Sequence, residues 1–454
     1  MARHRLVCLL ALLGVLAAAC GRSDPGATPS STPSSATKTD AACAGVTLEA
    51  TDTGVTADTI TVTVMADTGS ALAPGLFQGN IDAVQGFAKY INDNGGLGCR
   101  KLVVQAWDSK LDPTESKNGL IEACKGSVAM VGNNALFNPD VTPITDCPDA
   151  TGAVTGVPDL AALTADTTEA CAPVTFVMSA LGEKCPIAPG VRPVTSYLGY
   201  WKYLLTQFPD AKSVYLVPGD LPTTVLSSMP ILEAQRQAGI DVVGAAKVSG
   251  RDEQAAYTPK VQLVKSSGAN MVYDGSNDTA MISMRREAAA QGLTGVDAWV
   301  CTVACYTEAF KKAGSDVDGT WVAMGFLPFE ERDQNAELAN YLDHVPSPSS
   351  WGASAWQSAV LFQDVIGKIV ETDGPNAITR ANILKVLGSM DTFDAHGWLA
   401  PKPVRGVGSC GMVMKIEGGK FQRVYPTEPG TFECTPQDVV VVNVDPAAEA
   451  AKLQ

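Results

Sequence analysis

Residues 59–113 read TITVTVMADTGSALAPGLFQGNIDAVQGFAKYINDNGGLGCRKLVVQAWDSKLDP. The β-branched residues at 59–66 predict a strand, and apolar residues at helical spacing predict a helix over 75–92. An Asn-Gly-Gly stop at the end of that helix is followed by a second strand at 101–107. Asp112-Pro113 then starts a second helix. Strands that alternate with helices in this way are typical of a parallel sheet covered by helices.

The same alternation continues for most of the chain. A long Pro- and Gly-rich stretch at 138–172 is expected to be mostly loop, and an apolar run at 439–444 follows a predicted hairpin. One sheet that held every predicted strand would be unusually wide. We therefore predict two doubly wound α/β lobes. The further predicted strands are 128–132, 173–178, 213–217, 240–247, 269–274, 297–301 and 320–326.

Composition and charge exclude several classes of protein. The chain has 454 residues, of which 46% are apolar and 18% charged, so it is not disordered as a whole. With 33 basic and 48 acidic residues the net charge is −15, which repels nucleic acid. Beyond His4, only His344 and His396 supply an imidazole, and no glycine-rich phosphate loop follows a strand. We therefore predict a protein that is not an enzyme and holds no cofactor or metal.

The N-terminus predicts export and a lipid anchor. Arg3, His4 and Arg5 precede an apolar run at 6–16, which is typical of a signal peptide, here residues 1–19. Three alanines then precede Cys20, which resembles a bacterial lipobox, so we expect Cys20 to be acylated. The alternative is an ordinary signal peptide with an incidental cysteine.

The residues that follow Cys20 predict a flexible tether. At 21–40, 14 of 20 residues are Ser, Thr, Pro or Gly, and we assign residues 20–54 to the tether. No later apolar run reaches the roughly 18 residues that cross a bilayer. The expected location is therefore the outer face of the cell membrane, held by lipid.

The cysteine count agrees with export. Without Cys8 and Cys20, ten cysteines remain, and an even number in an oxidising compartment predicts up to five disulfides. For Cys301 and Cys305, which are four residues apart, a zinc site is the alternative, but a second pair of ligands is lacking nearby in the sequence. The pairs that we predict are Cys99–Cys124, Cys301–Cys305 and Cys410–Cys434, which leaves open the pairing of Cys43, Cys147, Cys171 and Cys185.

Polar residues follow the predicted strands at their carboxyl ends. In open parallel sheets, ligands bind beyond this edge. Turns and helix caps use the same residue types, so a structural role is the alternative for each one. The candidate ligand-binding residues are Ser70, Asn133, Asn134, Ser179, Asp220, Ser276, Asn277 and Thr302.

Several stretches, in the right order, resemble the branched-chain amino acid-binding proteins of ABC importers. The resemblance begins with 59–113 and extends over roughly residues 55–425. The other stretches are SVYLVPGD (213–220), GANMVYDGSNDTAMISMRREAAAQGL (268–293), DGTWVAMGF (318–326) and SAWQSAVLFQDVIGKI (354–369).

The resemblance implies the type I periplasmic binding protein fold, in which three crossovers join two lobes that close on a ligand. It places the crossovers near 192–195, 325–328 and 395–400. The implied division is lobe 1 at 55–193 and 327–396, lobe 2 at 194–326 and 397–438, and a C-terminal tail at 439–454.

The resemblance also implies roles for the candidate residues. Ser70 and Ser179 would offer hydroxyls to a carboxylate of the solute. Where the family has a Ser/Thr-rich run, this chain has Asn133-Asn134. No acid sits at Thr302 to hold an ammonium group, though Asp220 and Asp278 are neighbours. A desolvated ammonium without a carboxylate costs several kcal/mol. The expected solute is thus a branched-chain or other amino acid, an amide or another small polar molecule.

The implied partners are ABC permease subunits and a membrane reached only through the lipid anchor. We expect a monomer that does not bind nucleic acid. The alternative function is a lipoprotein of the same fold that senses a ligand without transporting it.

Overall fold

The structure is a computed structural model that describes residues 43–70 and 74–453. The predicted signal peptide, the lipidated Cys20 and most of the predicted tether lie outside the described residues.

The strands and helices alternate along the chain as the sequence predicts. The strands are β1 Thr59–Ala66, β2 Lys101–Asp108, β3 Ala129–Val131, β4 Asp159–Leu163, β5 Thr175–Ser179, β6 Arg192–Tyr197, β7 Lys212–Pro218, β8 Asp241–Val248, β9 Met271–Asp274, β10 Ala298–Cys301, β11 Trp321–Met324, β12 Thr392–Phe393, β13 Lys402–Pro403, β14 Cys410–Glu417, β15 Lys420–Tyr425, β16 Glu433–Cys434 and β17 Val439–Val444. The α-helices are α1 Gln78–Asp93, α2 Pro113–Gly126, α3 Thr142–Thr145, α4 Thr167–Ala170, α5 Gly199–Gln207, α6 Pro222–Ala238, α7 Thr258–Ser267, α8 Asp278–Ala290, α9 Glu308–Lys312, α10 Ala336–His344, α11 Ser350–Asp373, α12 Arg380–Ser389 and α13 Pro446–Ala450.

The first sheet has the strand order β2-β1-β3-β4-β5, and all of its neighbours are parallel. Strand β4 falls within the 138–172 stretch that the sequence predicts to be mostly loop, so that prediction is wrong there. Its sequence is DLAAL, which has no β-branched residue and is short. It is a strand because β3 and β5 pair with it on both sides and bury it, which local sequence does not reveal.

The second sheet has the order β15-β14-β11-β10-β9-β7-β8. Strands β7 to β11 pair in parallel, and the hairpin β14–β15 adds two antiparallel strands at one side. The predicted hairpin around Gly418-Gly419 is thus present, and each of these glycines has a positive φ that suits its turn. Helices α6, α7 and α8 cover this sheet. The predicted pair of α/β lobes is therefore confirmed.

Three chain segments pass between the two sheets. The chain leaves the first sheet after β5, returns after β11 to form α10 and α11, and leaves again after α12. In the last two passages, Phe326 pairs with Leu399 as an isolated bridge, and Leu327 N–H donates to the Trp398 carbonyl at 2.9 Å. These passages lie where the sequence predicts the crossovers.

The alternation of elements in the sequence predicts a helix over 195–208, and the structure differs from this prediction at the first passage. Residues 192–197 are strand β6, and the helix begins only at Gly199. The reason is β17, which pairs antiparallel with β6 through all six residues. The residues after β17 form α13, which packs on α6, and Glu449 contacts Arg236 at 3.1 Å. The stretch 439–453 is thus part of the packed fold.

Helix positions follow from local chemistry. Asp112 caps α2, because its Oδ1 accepts from the Thr114 and Glu115 N–H groups at 2.8 and 2.9 Å. Pro113 stands at the first helical position, where its missing N–H costs nothing. Helix α11 is buried along most of its length and packs on α1 and β4, with Trp356 edge-on to Phe87 at 5.1 Å. It is the central helix of the first lobe.

Five disulfides join the ten described cysteines. The predicted bonds Cys301–Cys305 and Cys410–Cys434 are present, but the predicted Cys99–Cys124 bond is wrong. Cys99 bonds instead to Cys43, which precedes β1, and Cys124 bonds to Cys147, which follows α3. The other pairs are Cys43–Cys99, Cys124–Cys147 and Cys171–Cys185.

Candidate functional site

Asp67, directly after β1, organises the carboxyl edge of the first sheet. Its Oδ1 accepts from the Ser109 hydroxyl at 2.6 Å and the Leu111 N–H at 2.8 Å. Its Oδ2 accepts from the Leu136 N–H at 2.8 Å. Burial raises the pKa of Asp67, while these hydrogen bonds lower it in part. This carboxylate therefore holds together the loops that follow β1, β2 and β3.

Asn133 has its polar atoms engaged inside the first lobe. Its Oδ1 accepts from the Met65 N–H at 2.8 Å, and its Nδ2 donates to Asp159 Oδ1 at 2.7 Å. Thr175 donates to the other Asp159 oxygen at 2.9 Å. Burial raises the pKa of Asp159 to about 6. The structure thus gives Asn133 a part in a buried network, rather than an unengaged amide that faces a solute.

Asn134 and Thr164 present unengaged polar atoms at the same edge. Asn134 is only 1% exposed, and neither atom of its amide has a hydrogen-bond partner among the described residues. The Thr164 hydroxyl, directly after β4, is buried and equally unpartnered in the described part of the chain. Ser70 is buried on the loop after β1. Sequence analysis missed Thr164, since β4 itself was not predicted.

Ser179 ends β5, the edge strand of the first sheet, in register with Leu163. Its side chain is exposed, unlike Ser70 and Asn134. Ser179 therefore lies at the rim of the carboxyl edge rather than within it.

Three predicted residues of the second lobe have partners inside that lobe. Asn277 caps α8 by accepting from the Ala280 N–H at 2.9 Å. Thr302 accepts from the Ala304 N–H at 3.2 Å, within the turn that the Cys301–Cys305 bond closes. Asp220 pairs with Arg251 at 2.7 Å. These three side chains therefore serve as a helix cap, a turn contact and an ion-pair partner, which is the structural role that the sequence leaves open for them.

Asp274 and Ser276 are the buried polar groups at the carboxyl end of β9. Asp274 Oδ1 accepts from the Ser276 N–H at 2.6 Å, whereas its Oδ2 and the Ser276 hydroxyl have no partner among the described residues. Burial raises the pKa of Asp274 to about 8, helped by the charge of Asp278. Sequence analysis missed this acid, although an aspartate that ends a buried strand was the available signal.

The two lobes touch beside this region. The Thr223 hydroxyl, at the start of α6, donates to the Leu136 carbonyl at 3.3 Å. Leu136 is the same residue whose N–H is held by Asp67 at 2.8 Å. The buried carboxylate of Asp67 is thereby connected through the backbone of one residue, Leu136, to the second lobe.

Two open surface depressions lie elsewhere, and neither includes a predicted ligand-binding residue. One, of about 700 Å³, is lined by Thr167, Thr168, Cys171, Cys185, Pro186 and Ile187. The other, of about 480 Å³, includes Phe176 and Arg405.

Metal ligands and membrane spans were sought in the described ranges. Within residues 43–70 and 74–453, no three His, Cys, Asp or Glu side chains are grouped to hold a metal ion. Over the same residues, every helix is too short or too polar to cross a bilayer.

The sequence model of the periplasmic binding proteins matches residues 59–419. This chain therefore belongs to the periplasmic binding protein family. No curated protein matches the sequence.

Solved structures share the fold at low sequence identity. A leucine-binding protein from Thermotoga maritima has a TM-score of 0.61 and 12% identity, over 84% of this chain and 99% of its own. A solute-binding protein of an ABC transporter from R. palustris, in complex with 4-hydroxybenzoate, has a TM-score of 0.58 and 15% identity, over 81% and 96%. A fatty acid ABC transporter substrate-binding protein from Thermomonospora curvata has a TM-score of 0.60 and 15% identity, over 86% and 99%. These similarities establish the type I periplasmic binding protein fold.

Proposed function

We propose that this protein is the extracellular solute-binding lipoprotein of an ABC importer. It captures a small polar solute in the cleft between its lobes and is held at the membrane by acylated Cys20. The observation that carries the proposal is the Thr223–Leu136 contact at 3.3 Å, because it lies between two strand edges that each bury unengaged polar atoms. Ligands of open α/β sheets bind at such edges.

The unengaged atoms define the expected contacts. Buried polar groups in folded proteins nearly always have hydrogen-bond partners. Polar groups without a protein partner at a ligand-binding edge are therefore expected to bind a solute or a water molecule. Asn134 and Thr164 serve from the first lobe, and Ser276 and Asp274 from the second. Ser70, which is buried on the loop after β1, is a further candidate contact on the grounds of its position alone.

The neighbouring structures support a solute that carries a carboxylate. Leucine, 4-hydroxybenzoate and 3,4-dihydroxybenzoic acid, the ligands named for three of them, share this group. The Asn134 amide and the Thr164 and Ser276 hydroxyls would donate to carboxylate oxygens. Burial keeps Asp274 protonated below about pH 8 in the solute-free protein, and an ammonium group beside it would favour its ionised form and be held by the resulting carboxylate. We therefore propose an amino acid, branched-chain or other, as the solute.

A thermal-shift screen of amino acids, their amides and small carboxylates tests the proposal. A bound solute stabilises the fold by about 2.7 kcal/mol at roughly a hundredfold excess over its Kd. For the hit, Asn134→Ala is expected to weaken binding by about 1–3 kcal/mol, because a desolvated oxygen loses its donor. Ser179→Ala is the matched control at the exposed rim and should change the affinity little.

Two outcomes would overturn the assignment. One is a hit whose affinity is unchanged in Asn134→Ala, Thr164→Val and Ser276→Ala. The other is a hit for which small-angle scattering detects no compaction, since a ligand that touches both lobes favours the closed state.

A further inference from the structure

The guanidinium of Arg380, the first residue of α12, contacts one sulfur of the Cys124–Cys147 disulfide. Arg380 is 0% exposed, and one of its terminal nitrogens donates to Cys147 Sγ at 3.0 Å. The remaining hydrogen bonds go to three backbone carbonyls, those of Pro148, Cys124 and Ser127, at 2.9, 2.7 and 2.5 Å. Among the described residues, Cys147 Sγ is the disulfide sulfur that a basic side chain contacts.

Within residues 43–70 and 74–453, no carboxylate forms an ion pair with the buried guanidinium of Arg380. Asp52 binds the backbone N–H of Arg380 at 2.7 Å rather than its guanidinium. The charges of Asp52 and Asp149 act on Arg380 from a longer distance, while burial lowers its pKa. An arginine nevertheless stays charged at any physiological pH. A thiolate on Cys147 would give this buried charge a partner.

The two cysteines of the bond differ in exposure. Cys124, at the end of α2, is half-buried, whereas Cys147 is only 2% exposed. An external thiolate therefore reaches Cys124 first. The sulfur that leaves is then Cys147, and a neighbouring cation lowers the pKa of a thiol and speeds its departure.

We propose that Cys124–Cys147 is a reversible thiol–disulfide exchange site, opened by an exported dithiol reductant that attacks Cys124 and expels Cys147 as a thiolate paired with Arg380. The reductant thiolate forms a bond to Cys124 Sγ, and the electron pair of the broken S–S bond passes to Cys147 Sγ. The second thiolate of the reductant then attacks the reductant's own first sulfur, the one that is bonded to Cys124 Sγ. That step releases the Cys124 thiolate and leaves the reductant as a disulfide, so two electrons are transferred.

Opening this bond would loosen one end of the first lobe. Cys147 packs with Ala135, Val141 and Ile144 in an apolar cluster under the loop that follows β3. Ala135 is next to Asn134. This apolar cluster thus extends from the exchange site to the residue beside Asn134 in the chain.

The Cys43–Cys99 bond is the internal comparison. Both of its cysteines are half-buried, like Cys124. Its neighbour Arg100 is a buried guanidinium that donates to backbone carbonyls, including those of Gly98 and Pro375 at 3.1 and 2.8 Å, but not to a sulfur. The two sites therefore differ in the contact of a cation with sulfur and in the deeper burial of Cys147, and the Arg380→Gln variant separates these two differences.

The test treats oxidised mature protein with dithiothreitol, stops the reaction by alkylation and quantifies each bond by peptide mass spectrometry. Cys124–Cys147 should open on the order of tenfold faster than Cys43–Cys99. With glutathione, the mixed disulfide should form on Cys124. Arg380→Gln should remove the rate advantage, whereas Arg100→Gln should not slow Cys43–Cys99. A glutathione adduct on Cys147, or an unchanged rate in Arg380→Gln, would overturn the proposal.

A second measurement tests the proposal without the Arg380→Gln variant, in case that variant does not fold. In Cys124→Ser, the single thiol of Cys147 titrates by its thiolate absorbance. Its pKa should lie below the roughly 8.5 of an ordinary cysteine. A pKa at or above that value would show that Arg380 does not stabilise the thiolate, and the proposal would fail.

Discussion

The Thr223 hydroxyl reaches the Leu136 carbonyl at 3.3 Å and joins α6 of one lobe to the loop after β3 of the other. If this bond belongs to the closed state, its loss should weaken solute binding, because closure and binding are one event. We expect Thr223→Val to raise the Kd of the screened solute roughly fivefold, which corresponds to about 1 kcal/mol for one hydrogen bond. Calorimetry measures the Kd, and scattering measures the closed fraction.

The neighbouring threonine supplies the control for this prediction. Thr224 donates to the Leu221 carbonyl at 2.8 Å, which is a bond within its own lobe. Thr224→Val should lower the melting temperature without changing the Kd. Equal changes of Kd in both variants would mean that the Thr223 contact has no special part in closure.

Asp274 predicts a pH dependence of stability. Its pKa is raised in the folded protein from 3.8 to about 8, so the folded state binds the proton more tightly than the unfolded state. The resulting stabilisation is present below the ordinary pKa and is lost as the pH rises through about 8. Asp274→Asn should therefore melt at a higher temperature than the natural protein at about pH 9, with a smaller difference at about pH 5. A difference that does not change with pH would contradict the buried, unpaired carboxylate.

The same variant tests the role of Asp274 in recognition. A carboxylate that holds an ammonium group matters for amino acids but not for carboxylates without an amine. Asp274→Asn should therefore weaken amino acid binding by tenfold or more, about 1.4 kcal/mol or above, and leave a simple carboxylate unaffected. Equal losses for both ligand classes would assign Asp274 a structural role.

The disulfides are expected to differ in their contribution to stability. Sequence separations of 56 for Cys43–Cys99 and 4 for Cys301–Cys305 correspond to about 4 and about 2 kcal/mol in the chain-entropy account. Replacing both cysteines of the first bond by serine should therefore lower the free energy of unfolding more than replacing those of the second. Denaturant unfolding without reductant measures this, and the reverse order would reject the entropic account for this chain.

The predicted lipid anchor is tested by Cys20→Ala. Two or more acyl chains bind a bilayer far more tightly than one, at about 0.8 kcal/mol for each buried CH₂. The variant should remain as unprocessed precursor or be released into the medium. A mature-sized variant that still fractionates with membranes would show that the anchor is not at Cys20.

Local sequence patterns predicted the alternation of strands and helices, because burial on one face leaves a periodic signal within each element. They failed where a distant partner decides the structure. Residues 159–163 become a strand only between β3 and β5, and residues 192–197 only because residues 439–444 pair with them.

In the candidate site, too, the sequence predicts which residues are placed there but not what their side chains do. Position after a strand predicted Asn134 and Ser276, which are buried with unengaged polar atoms in the described structure. It also predicted Asn133 and Asn277, whose hydrogen bonds are used for an internal network and a helix cap. Sequence cannot separate these two uses, because both require a small polar side chain at the end of a strand or the start of a helix.

The pairing of β6 with β17 constrains the order in which the protein can fold. The two strands are separated by about 240 residues, so the first crossover has no partner strand while residues 439–444 are still being synthesised. The pairing of the first crossover can therefore form only after the chain through residue 444 has been synthesised. Because long-range pairing slows folding, an exported chain of this topology would have more time to cross a membrane before its two lobes are joined.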